Sequence, residues 1–239
     1  MFVAERLISL VAPHHCVVCG DEGSLLCGWC AADACPAVPP RCYKCLKASA
    51  DFAVCSSCRP KVRLRHVWIR TEHSGVARDL LEKYKFERGQ AGGKTIARLI
   101  SEALPYFEKG TLVVPVPTAT SRVRSRGYDH GRLLAKELAE LQGLKFESLL
   151  MRFGQTRQVG AKRQERIQQL DGAFGIKKPL AKETRILLVD DVATTGATLE
   201  EAAKVLKRGG AKQVDAVVFA QKRIQTTRPI SQRTNITSE

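Results

Sequence analysis

No stretch of this 239-residue chain approaches the roughly 18 uncharged apolar residues that a membrane helix needs. The start, Met1 to Val11, is interrupted by Glu5 and Arg6 before Pro13, so neither a membrane span nor a secretory leader is expected and the reading points to the cytoplasm. The one Gly-Lys-Thr triplet, Gly93-Lys94-Thr95, has Arg88 and not glycine five residues before it, so the Walker phosphate-loop pattern does not occur. Acidic side chains are few: 24 Asp and Glu stand against 39 Lys and Arg and leave a net charge of +15. That excess favours polyanionic partners, although a basic surface also keeps a protein in solution. Residues 71–239 carry +11 of it and residues 1–70 only +4. Disorder is excluded by 44% hydrophobic and 26% charged residues, a globular balance.

Cysteine is absent after Cys58, and its distribution before that point is ordered. Eight of the nine cysteines form four Cys-x-x-Cys pairs, Cys16/Cys19, Cys27/Cys30, Cys42/Cys45 and Cys55/Cys58, with Cys35 alone. An odd total without a leader fits a disulfide framework poorly. Paired thiols on tight turns fit tetrahedral zinc, so the expectation is two structural Zn ions, each contributing about 10–16 kcal/mol of apparent binding energy. The pairs can combine in order, as two zinc ribbons, or alternately, as a cross-brace. His14 and His15 abut Cys16 and are rival ligands. A redox Cys-x-x-Cys site would need a thioredoxin-like context that this segment lacks.

The remainder reads as α/β. Apolar residues recur at helical spacing from Val76 to Leu104 on either side of a break expected at Gly89–Gly93. Short buried strands are expected at Leu112–Val116, Arg185–Val189 and Val214–Phe219, with helices at Leu133–Leu141 and Leu199–Leu206. This alternation predicts a parallel sheet. The expected organisation is a double zinc ribbon over residues 1–62, a basic linker from Arg59 to Val67, an α/β domain over 67–223 and a flexible tail over 224–239.

The segment Ile186–Thr198, ILLVDDVATTGAT, is a buried strand, two acids, and then small and hydroxylated residues that open a helix. Amides around Thr195, Gly196 and Ala197, hydroxyls of Thr194, Thr195 and Thr198, and the positive helix end suit a phosphate. Asp190 and Asp191 would repel that phosphate unless they meet ribose hydroxyls or a bridging Mg ion. In this order of residues the chain resembles the type I phosphoribosyltransferases and their signature for phosphoribosyl pyrophosphate (PRPP); it departs at Ala193, where a larger residue is usual. The resemblance implies that Asp190 and Asp191 serve as catalytic acids that bind the ribose, with possible Mg, while Ala193 to Thr198 hold the 5′-phosphate. It also implies little base-salvage activity, because Thr194 stands where purine-salvage members carry a general-base aspartate.

Two further segments narrow the match. Val113–Gly131 places Arg122, Arg124 and Arg126 beyond Pro117 and Thr118, and Thr156–Phe174 carries Arg157, Gln158, Arg163 and Arg166. With the cysteine pairs and the Asp-Asp-Thr-Thr-Gly loop, these are similar to the ComF family of competence proteins, related to GntX. Arg126-Gly127-Tyr128-Asp129-His130 departs from the family's usual Arg-Gly-Phe-Asn-Gln. The resemblance implies a pyrophosphate loop at the first segment and a mobile flap at the second, with Lys85 on the same rim. It further implies handling of single-stranded DNA during natural transformation, with a companion competence helicase and DNA-processing proteins as partners. The alternatives are an active phosphoribosyltransferase of unknown acceptor and a zinc-ribbon adaptor whose second domain is only a scaffold.

Overall fold

The computed structural model describes residues 14–87, 89–153 and 172–222. Five strands, β1 (Val67–Glu72), β2 (Leu112–Pro115), β3 (Lys145–Phe146), β6 (Arg185–Ala193) and β7 (Gln213–Gln221), form one parallel sheet in the order β1-β7-β6-β2-β3. β6 pairs with β7 along its whole length, from Arg185 against Gln213 to Ala193 against Gln221. Ile186 to Val189 and Val214 to Ala220 are buried apart from no more than a few per cent of their surface, as strands covered on both faces must be. A separate antiparallel pair joins β4 (Leu150–Arg152) to β5 (Phe174–Ile176).

Among the described residues there are six α-helices: α1 (Gly28–Ala34), α2 (Gly75–Phe86), α3 (Gly89–Ser101), α4 (Thr120–Arg126), α5 (His130–Leu141) and α6 (Ala197–Arg208). The crossover β2-α5-β3 runs outward in one direction and β6-α6-β7 in the other. Right-handed crossovers therefore set α5 and α6 on opposite faces, and the boundary between β2 and β6 is where the strand order reverses.

β6 and β7 are longer than their apolar runs indicate, because ladder pairing carries the backbone past Val189 and Phe219, whereas β2 ends at Pro115, one residue short of the expected Val116. Two readings need correction. The run Gly89–Gly93 opens α3 and is not a break; α2 ends ahead of it, at Phe86. A Cβ on Gly92 would lie 2.8 Å from Tyr84 Cα and 2.9 Å from Tyr84 Cβ, so the glycine lets α3 approach the end of α2. The stretch from Arg59 to Val67 is not a free linker either. Val62 and Leu64 are buried, Arg65 N donates to Val214 O at 3.1 Å, and Arg63 N donates to Glu200 at 2.7 Å.

The cysteine segment and the sheet share one hydrophobic core, in which Leu25, Leu26, Tyr43 and Leu64 join the sheet's aliphatic residues. Cys35, without a role in the sequence, is buried in that core, and its carbonyl accepts from Arg70 at 3.0 Å.

Candidate functional site

The cysteines meet in sequential order: Cys16, Cys19, Cys27 and Cys30 form one cluster and Cys42, Cys45, Cys55 and Cys58 the other, with ligand atoms in each all within 4.8 Å. Sulfurs of Cys19 and Cys27 stand 3.8 Å apart, and those of Cys45 and Cys55 3.6 Å. A tetrahedron with zinc–sulfur bonds of about 2.3 Å has an edge of about 3.8 Å, so both clusters fit zinc. Neither histidine joins a cluster; His15 Nδ1 lies 3.0 Å from Gly20 O.

Thiol acidity is uneven. Cys16, opposed by burial but favoured by the amides of Cys19, Cys27 and Val18, goes down to about 6. The Ser57 hydroxyl and Cys58 amide bring Cys55 to about 6 as well. Burial and neighbouring sulfurs push Cys30 and Cys58 up to about 12. A metal ion would displace the remaining thiol protons.

The second site lies at the carboxyl ends of β2 and β6. Asp190 and Asp191 follow the continuously buried run Ile186–Val189 of β6, and Asp190 Oδ1 accepts from Asp191 N at 2.9 Å. Gly196 follows with φ +73°, a left-handed turn that caps α6. The amides of Thr194, Thr195 and Gly196 donate to no backbone carbonyl among the described residues, and Ala197 N donates to Thr195 Oγ1 at 3.2 Å. Unpaired amides at a helix N-terminus are the groups an anion needs.

Asp191 is buried and held by two cations or donors. Lys85 Nζ lies 2.5 Å and His130 Nε2 3.3 Å from its Oδ2. Burial works against its charge, but the His130 hydrogen bond and Lys85 win and hold Asp191 well below the usual carboxylate range. Asp190 goes the other way: burial first, then the charge of Asp191, push its carboxyl up to about 8.

Local sequence explains the placement. Leu80, Leu81 and Tyr84 bury one face of α2, which leaves Lys85 at its last turn beside the acids. Asp129 caps α5 by accepting from Arg132 N at 3.1 Å and also accepts from Thr118 Oγ1 at 2.8 Å. This sets His130 at the start of α5. The Tyr84 hydroxyl donates to His130 O, and the Tyr128 hydroxyl to Tyr84 O. Arg126 stands 2.9 Å from His130 Nδ1 and 3.4 Å from its Nε2. The substituted Asp129-His130 pair is therefore part of the site.

Of the other expected residues, Pro117 and Thr118 border the acids on β2's side, and the amides of Thr118 and Ala119 donate to no backbone carbonyl among the described residues. The following arginines are on helix α4 and not in a loop: Arg122 is exposed and Arg126 also covers the Phe86 ring at 4.9 Å. Arg157, Gln158, Arg163 and Arg166 lie outside the described residues.

Arg152, which the sequence offers only as one of the basic residues of 152–166 suited to a nucleic-acid backbone, donates toward Pro117 O at 3.5 Å and packs 5.3 Å from the Phe174 ring. Burial and Arg122 lower its pKa, while Asp190 opposes them. Sequence reasoning left Tyr84 and Tyr43 out of the site, since both look like core aromatics in sequence.

Comparison with known proteins agrees. The Phosphoribosyl transferase domain family matches residues 85–238. The chain is 28% identical over 197 residues to competence protein ComFC of Streptococcus pneumoniae, covering 81% of this chain and 86% of that protein. It is 30% identical over 145 residues to competence protein F of Haemophilus influenzae, covering 56% of this chain and 63% of that one. Among solved structures, the allosteric regulatory enzyme of purine biosynthesis aligns with 15% identity and a TM-score of 0.38 over 57% of this chain and 29% of its own. No helix among the described residues is long and apolar enough to cross a membrane. The chain belongs to the phosphoribosyl transferase domain family, as a ComF-type member with two four-cysteine clusters that fit structural zinc.

Proposed function

We propose that the chain acts in competence, binding PRPP or a nucleotide's phosphate and ribose at Asp190–Thr198 while its basic surfaces hold single-stranded DNA. One observation carries this reading: the acid pair, the unpaired amides of Thr194–Gly196, and Lys85 and His130 converge where the strand order reverses.

In this arrangement the amides and hydroxyls of Thr194 to Thr198 hold the phosphate. Asp191, kept ionised and oriented by Lys85 and His130, accepts from a ribose hydroxyl. Asp190 is the acid that fits a magnesium ion, because its burial beside a charged neighbour leaves it short of positive charge. A bound magnesium would supply neutralising charge for a pyrophosphate group. Arg122, Arg126 and Arg152 line the approach from β2's side. Thr194 offers no carboxylate to take a proton from an acceptor, so this reading is one of binding and handling. The helicase and DNA-processing proteins of uptake are the proposed partners.

Calorimetric titration of the zinc-loaded protein with PRPP and magnesium tests the loop. Wild type should bind, and the double variant Asp190→Asn/Asp191→Asn should lose at least about tenfold in affinity through the lost charge-assisted hydrogen bonds. No binding by a folded wild type would overturn the ligand assignment. For the DNA arm, affinity for a fluorescent single strand should fall about 300-fold between about 50 and about 200 mM salt if roughly six phosphates are engaged. Affinity insensitive to salt and to removal of Arg163 and Arg166 would count against it.

A further inference from the structure

Tyr43 follows the cluster cysteine Cys42 directly and is 2% exposed, although it belongs to the cysteine segment and not to the sheet. Its ring rests on the phosphate loop: a Cβ built on Gly196 would overlap it, coming within 2.8 Å of Tyr43 Cδ2. Its hydroxyl donates to Glu200 Oε1 at 2.5 Å, in the first turn of α6. Glu200 also accepts from Arg63 N at 2.7 Å and Leu64 N at 3.3 Å, just beyond the last cysteine of the same cluster. On the other side, Gln221 Nε2 donates to Tyr43 O at 3.0 Å, and Arg41 donates to Gln221 at 3.2 Å and to Glu72 at 3.3 Å. Residues 41–64 thus grip the carboxyl ends of β1 and β7 and the start of α6.

Among the described residues the first cluster has no such contact: its segment is bonded to the larger part by Arg98, which donates to Leu26 O at 3.0 Å, and neither residue belongs to the loop. Among those residues, it is the second cluster that is mechanically continuous with Gly196.

We propose that Tyr43 is a positioning residue that couples the second four-cysteine cluster to the phosphate loop. Loss of zinc from Cys42, Cys45, Cys55 and Cys58 then loosens Gly196 and the first turn of α6. By reciprocity, an anion seated on the loop slows that loss, a corollary that rests on the proposed ligand. The physical cause is local. Gly196 needs its left-handed φ to present the amides, and the Tyr43 ring closes one side of that turn. A charge-assisted hydrogen bond to Glu200 holds the ring there.

Hydrogen exchange of the full zinc-loaded chain, read by mass spectrometry without any ligand, tests the coupling. Tyr43→Ala should raise exchange about tenfold at Ala197 and Glu200, whose amides donate to Thr195 Oγ1 and to Gly196 O, as the loss of packing and one strong hydrogen bond implies. Exchange in α5 should stay unchanged and both zinc ions should remain bound. Tyr43→Phe, which removes only the hydroxyl, should give a smaller rise at the same residues. Cys45→Ser should reproduce the effect and Cys19→Ser should not. Unchanged loop exchange in Tyr43→Ala, or a rise spread evenly over the sheet, would overturn the proposal. In a second arm, PRPP should slow transfer of one of the two zinc ions to a colorimetric chelator, and Tyr43→Ala should abolish the protection. If wild type shows the exchange result but no PRPP effect, the ligand assignment fails while the coupling stands.

Discussion

The two adjacent carboxyls of β6 differ because their surroundings differ. Asp191 meets Lys85 and His130 and stays ionised, whereas Asp190 meets burial and a negative neighbour and is held protonated up to about 8. The sign for stability follows. Asp190's contribution is fully present below the carboxyl's unfolded value and is lost as pH rises toward 8, while Asp191's is present above that value and lost in acid. A ligand that needs Asp190 ionised must expel its proton. The affinity deficit of Asp190→Asn relative to wild type should therefore be small near about pH 6 and widen toward about pH 9. Calorimetry across that range checks it, and a deficit independent of pH would show that Asp190 is already ionised in the free protein.

At the scale of elements, the site depends on how α2, α3 and α5 approach one another. Tyr84 ends the buried stripe of α2, lies against Gly92 of α3, and donates to His130 O at the start of α5. Gly92→Ala would drive a methyl group into the Tyr84 backbone, and overpacking of this kind costs about 1–3 kcal/mol. Urea denaturation should show a lower midpoint with an unchanged slope, and an unchanged midpoint would mean that α3 moves away freely. Of these contacts, the helix that carries Tyr84 was legible from its spacing, whereas nothing in the sequence reading marked Asp129 as the cap of α5. The glycine run was misread because a helix breaker in one context is a close-packing residue in another, and only the neighbour distinguishes them.

For the whole molecule, the common core makes the zinc clusters part of the sheet's stability. Arg70, Thr71 and Glu72 at the end of β1 all bond to residues 35–41. Removing both zinc ions with a strong chelator should lower the melting temperature of the sheet as well as that of the cysteine segment. A loss of even about 3 kcal/mol corresponds to roughly 6–12 °C in a chain of this size. Calorimetric scans should show one shared transition; an unshifted sheet transition would show that the two parts unfold separately.

Chemistry written in consecutive residues was readable from the chain alone. The Asp190–Thr198 loop and the four cysteine pairs are short-range patterns, since a helix end and a metal turn are each built within a few residues. The apolar runs of β2, β6 and β7 likewise announced a covered parallel sheet. Tertiary structure alone decided which cysteine pairs combine, because sequential and alternate pairing have the same spacing. It alone brought Lys85 and His130, 45 positions apart, onto one carboxylate 61 positions beyond the second. It also set Tyr43 against Gly196. Contacts between distant segments depend on packing and strand order, which no local pattern records.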